Sequence, residues 1–72
     1  KVEFMDNQFI KIEPTLGSVK WLNVRNIVAI EKVGNSIKLI TNANRDNHPV
    51  SYTVEASVEE FLSAIGADEI EM

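Results

Sequence analysis

Between residues 53 and 62 the chain changes period. Thr53-Val54-Glu55-Ala56 reads as the end of a strand, and Ser57-Val58-Glu59-Glu60-Phe61-Leu62 opens a helix. The switch has a mechanism. Ser57 stands at an N-cap and Glu60 three residues on, the capping box in which each side chain satisfies the other's orphan backbone donor. Glu59 and Glu60 put negative charge in the first turn, where the helix dipole favours it. Val58, Phe61, Leu62 and Ile65 fall at i, i+3, i+4 and i+7, one apolar stripe. Gly66 is placed to end the helix in a left-handed C′ conformation. About two turns of helix are unstable alone in water, so this one must dock on other elements.

What precedes it reads as short strands. Residues 8–13 alternate, with Ile10 and Ile12 on one face. Pro14 to Ser18 is a turn, and residues 19–24 form a second strand. Arg25-Asn26 breaks that strand, and residues 27–33 form a third. Gly34-Asn35 suits a tight hairpin turn, followed by a fourth strand over 36–41. Residues 42–49, with Asn42, Asn44, Arg45, Asp46, Asn47 and His48, read as a polar loop before a fifth strand over 50–54. The predicted fold is mainly β, or α+β: a five-stranded antiparallel, strongly curled β-meander, barrel-like, with one short C-terminal α-helix. Residues 1–66 make the domain and residues 67–72 an acidic tail.

Several strands are apolar on both faces. Ile27 and Ala29 oppose Val28 and Ile30, and Ile37 and Leu39 oppose Ile40. A sheet with one solvated face alternates more cleanly. The four-residue helix stripe is too small to cover both faces of five strands. Curling or self-association must cover the remainder. Seventy-two residues give a small core, and without disulfides or metals such chains often gain stability by association. Self-association is therefore the expected partnership, with a further protein partner as an addition to it.

Charge is uneven along the chain. Residues 1–54 carry all seven Lys and Arg against five acids, and residues 55–72 carry six acids and no base. A net charge of −4 disfavours non-specific nucleic-acid binding, which rests on neutralising phosphates. The acidic end reads as a solvated tail. No apolar run approaches the roughly 18 residues of a membrane span, and no signal-peptide pattern opens the chain. The expected setting is cytoplasmic, with no membrane partner.

Catalytic chemistry has little to stand on. There is no cysteine and one histidine, His48, beside Arg45 and Asp46. A nucleophile–base pair or a metal site needs partners that this spacing does not provide. Glycine-rich phosphate loops and nucleophile elbows are absent. Glu13, Glu31 and Glu55 fall in different strands, and nothing in the sequence makes them converge. The reading is of a non-enzyme without a cofactor or metal. Trp21, the one tryptophan, is a core or contact residue before it is a stacking platform. If the chain has an interaction surface, its candidate residues are Trp21, Arg25, Lys38, Arg45 and His48. A small-ligand site would centre on Arg45, Asp46 and His48.

One order of segments carries a resemblance. Trp21-Leu22-Asn23-Val24-Arg25-Asn26-Ile27-Val28-Ala29-Ile30-Glu31 leads through a hairpin into Ile37-Lys38-Leu39-Ile40-Thr41. Tyr52-Thr53-Val54-Glu55-Ala56-Ser57-Val58-Glu59-Glu60-Phe61 then follows. Over residues 8–65 this resembles the small flagellar and swarming-motility (FlbD-like) proteins. It is also similar to the strand–strand–helix half of LytTR-type DNA-binding domains. The flagellar-type proteins have a short Asn-Gly turn where this chain inserts residues 42–48, and no functional residue carries over from either family. The resemblance implies a small bacterial or phage-like module. The leading function is a non-catalytic, homo-oligomeric interaction module, and the alternative is a nucleic-acid-binding or transcription-regulatory module of LytTR-like type.

Overall fold

The protein is described from a computed structural model that covers residues 8–67, 69 and 70. Lys1 to Asn7 and the tail residues Asp68, Glu71 and Met72 lie outside the described residues. The elements run β1 (Phe9–Ile12), β2 (Lys20–Asn23), a 3-10 turn (Val24–Asn26), β3 (Ile27–Val33), β4 (Ser36–Arg45), β5 (His48–Val54) and α1 (Val58–Ile65).

The strands make two antiparallel sheets rather than one meander. β1 pairs with β2, and β3, β4 and β5 form a second sheet in that order. Neither sheet closes or curls strongly, which corrects the barrel-like expectation. Between the two sheets the backbone pairing among the described residues is the bridge Pro14–Val54 and the Thr15 N–H donated to the Thr53 carbonyl at 2.9 Å. The physical reason lies in two interruptions. Pro14 has no N–H to extend a ladder, and β2 ends where the Asn23 side chain accepts from the Arg25 N–H at 3.0 Å and winds the chain into the 3-10 turn.

The helix forms as its sequence demands. Ser57 accepts from the Glu60 N–H at 3.0 Å, and the Glu60 carboxylate accepts from the Ser57 N–H at 2.8 Å. Gly66, at φ 72°, closes the other end: its N–H reaches the Ser63 carbonyl and the Ala67 N–H reaches Leu62, the Schellman pattern. Of the stripe, Phe61 is buried while Val58, Leu62 and Ile65 are half-buried.

The core lies where the helix meets the inner faces of both sheets. Ile12 of β1, Ile37 and Leu39 of β4 and Phe61 of α1 are its buried members. Ile10, Leu22, Ile27, Ile30, Tyr52 and Val54 pack around them. Two irregularities set which side chains face inward. In β3 the register gains one residue at Val28, so Ile27 opposite Thr41 and Ile30 opposite Leu39 share the inner face. Strict alternation would have separated them.

The second irregularity replaces the predicted polar loop. β4 continues to Arg45, and β5 begins at His48, so residues 42–49 are strand and turn rather than loop. Three residues of β4, 41–43, stand against Val50 alone. Thr41, buried to 4 % exposure, donates its hydroxyl to the Val50 carbonyl at 2.7 Å and accepts the Ala43 N–H at 3.3 Å. Beyond it, Asp46 and Asn47 both take positive φ, 51° and 67°, the two-residue type I′ turn that matches strand twist. The Gly34-Asn35 turn differs, since only Gly34, at φ 59°, is left-handed there.

Candidate interaction surface

Inward packing of one side of β1 and β2 leaves Phe9, Lys11 and Trp21 exposed on the other. On β1 and β2 the inward residues are Ile10, Ile12 and Leu22. The outward residues are Phe9, Lys11 and Trp21, with Phe9 opposite Asn23 and Lys11 opposite Trp21. Trp21 is 65 % exposed and Phe9 59 %. Phe9 is the diagonal neighbour of Trp21, a spacing of roughly 7–8 Å that aromatic side chains span. The Lys11 ammonium stands 5.9 Å from the Trp21 ring centroid, a cation–π contact that steadies the ring and keeps a positive charge beside it.

Lys20 points to the other side of β2. Its ammonium sits 5.5 Å from the ring of Tyr52, which lines the inner face of the three-stranded sheet. This contact ties one sheet to the other. Around the aromatic face, residues 8–26 carry Lys11, Lys20 and Arg25 against Glu13, a net of +2 within a chain of net −4.

The remaining sequence-selected residues lie elsewhere. Arg25 is exposed on the 3-10 turn that follows β2. Lys38, half-buried at mid-sheet, stands between Glu31 on β3 and Thr53 on β5, on the outer face. Arg45 and His48 are brought together as the exposed pair that closes the Asp46-Asn47 turn. Lys38 and Arg45 stand seven residues apart on one strand, about 23 Å along it, so the fold does not gather them.

Two surface depressions matter. One, of about 630 Å³, lies between β1 and α1 and is lined by Glu13, Glu55 and Glu60 over Ile10 and Phe61. Glu13 and Glu55 therefore do approach one surface, while Glu31 faces Lys38 on another. Among the described residues no group of three or more His, Asp or Glu could hold a metal ion. The other depression, of about 420 Å³, has Ile37, Ala56 and Val58 among its walls and Lys32, Glu59 and Glu69 on its rim.

Sequence reading found Trp21 and missed Phe9. The signal was present: Phe9 stands at the opposite parity to Ile10 and Ile12, so a strand that buries the isoleucines must expose it. The 420 Å³ depression had no such signal, because its walls come from β3, β4 and the segments around the helix. No helix among the described residues is long and apolar enough to cross a membrane. Comparison with known proteins finds no matching family model, curated protein or solved structure.

Proposed function

We propose that this protein is a non-catalytic interaction module that works as a homo-oligomer, in a bacterial or phage-like cytoplasm. One observation carries the reading: large apolar side chains lie outside the core in number. Phe9, Leu16, Trp21, Val28 and Val33 are each at least half exposed, while four apolar side chains among the described residues are buried. Scattered exposed hydrophobics are ordinary, but contiguous ones on a small domain mark contact surfaces. Phe9 and Trp21 are neighbours, and Val28 and Val33 lie on β3, whose outer edge has no partner strand among the described residues. An unpaired strand edge is also a template for association. Sedimentation or light scattering across concentration tests the reading. Mass above that of one chain is expected, and a monomer at high concentration would overturn it.

A second reading, a nucleic-acid-binding or regulatory module, has one specific observation in its favour. The Phe9–Trp21 pair is an exposed aromatic platform in the positively charged part of the chain, the combination that stacks bases and tracks phosphates. Binding should then weaken steeply as salt rises. No binding to any oligonucleotide at low salt would dispose of it.

A further inference from the structure

Two surfaces described above are complementary to each other. The β1–β2 face offers a protruding, 65 %-exposed tryptophan with a lysine over its ring, in the segment of net +2. The depression at the start of α1 offers an apolar floor of Ile37, Ala56 and Val58 with Glu59 and Glu69 on its rim. Its volume, about 420 Å³, falls in the roughly 300–1,000 Å³ range of sites that enclose a ligand group.

Resting on the homo-oligomer reading, we infer that Trp21 of one copy inserts into the Glu59–Glu69 depression of a second copy, with Lys11 meeting those carboxylates. The charge distribution selects a second copy over nucleic acid. A strand of phosphates approaching the Lys11–Trp21 face must also approach a chain of net −4, whereas the depression of another copy offers that face the two carboxylates of Glu59 and Glu69. Lys32 also stands on the rim and offsets part of its charge, so the two glutamates together decide its sign. The contact joins two different surfaces. It is therefore head-to-tail unless reciprocal insertion closes it into a pair.

A contact built on one inserted side chain points to weak association, with a dissociation constant on the order of micromolar. Trp21 is the only tryptophan, so its emission reports the contact directly. With rising concentration the emission should shift to the blue as mass increases, and high salt should reverse both changes. Trp21→Ala should weaken association by roughly thirty-fold, the loss typical of a buried aromatic anchor. Lys11→Glu and the double variant Glu59→Lys/Glu69→Lys should each remain monomeric, and mixing these two variants should restore association. All four positions are exposed, so the variants are expected to fold, which far-UV circular dichroism checks.

If the protein self-associates while Trp21 emission stays unchanged and the charge variants behave as the parent, the inference fails and the oligomer reading stands. A monomer at every concentration overturns both. Emission that shifts only on adding a single-stranded oligonucleotide overturns both in favour of the nucleic-acid reading.

Discussion

The hydroxyl of Thr41 donates to the carbonyl of Val50 at 2.7 Å across the point where three residues of β4 face one of β5. A ladder bond is impossible there because the strands are out of register, and the side chain takes its place. The same oxygen accepts the Ala43 N–H. One buried threonine thus satisfies two backbone groups that the bulge would otherwise strand.

Thr41→Val keeps the shape and removes the hydroxyl. It should destabilise the protein by about 1–3 kcal/mol, the cost of leaving buried polar groups unpaired. Thr41→Ser, which keeps the oxygen, should lose less. Urea unfolding midpoints compare the two, and a valine variant as stable as the parent would remove the bond from the account.

The turn beyond it is strained in a way that can be relieved. Asp46 and Asn47 both occupy the left-handed region, which costs non-glycine residues roughly 1–2 kcal/mol, less for Asn and Asp. Asn47→Gly should raise stability by about 0.5–1 kcal/mol, and Asn47→Val should lower it. Thermal melts followed by circular dichroism give both signs in one experiment.

Both helix ends should be separable by mutation. Ser57→Ala removes the capping box and should cost about 1 kcal/mol. Gly66→Ala meets no atom within 4 Å of the added carbon, so its cost, also about 1 kcal/mol, comes from φ 72° alone. The two sites are roughly 13 Å apart along the helix, far enough for the effects to add. A double variant that loses much less than the sum would show that the helix ends communicate.

Phe61 is the helix's one buried side chain. Phe61→Ala should cost about 3–5 kcal/mol, against a total of about 5–15 kcal/mol for ordinary domains and less for one this small. The variant is expected to be largely unfolded at room temperature. Leu62→Ala, at a half-buried position, should leave a folded protein. The contrast shows in far-UV circular dichroism, and equal losses would mean that the helix docks differently.

Sequence pattern was a good guide wherever a local rule had no competitor. The helix, both its caps, β3 and the Gly34-Asn35 turn follow from residues close together in the chain. It failed at residues 42–49, where Asn, Arg and Asp suggested a loop. The Asp46-Asn47 pair was a hairpin signal in its own right, obscured by the polar residues of β4 that surround it. Of the candidate surface, Trp21 was legible as an unusual residue on a short strand. Its exposure was not, because that depends on which face of β2 the core claims.

Local chemistry alone determined that the chain ends its strands in a capped helix, since a capping box, an apolar stripe and a C′ glycine act over a few residues. Tertiary structure alone decided how five strands divide into two sheets and which side chains face inward. One added residue at Val28 shifts the pleat by one position and exchanges the inner and outer faces of β3 beyond it, while two added residues around Thr41 offset the end of β4 against β5. Those shifts answer to packing against Leu39 and Phe61, and a period-two pattern carries no record of them.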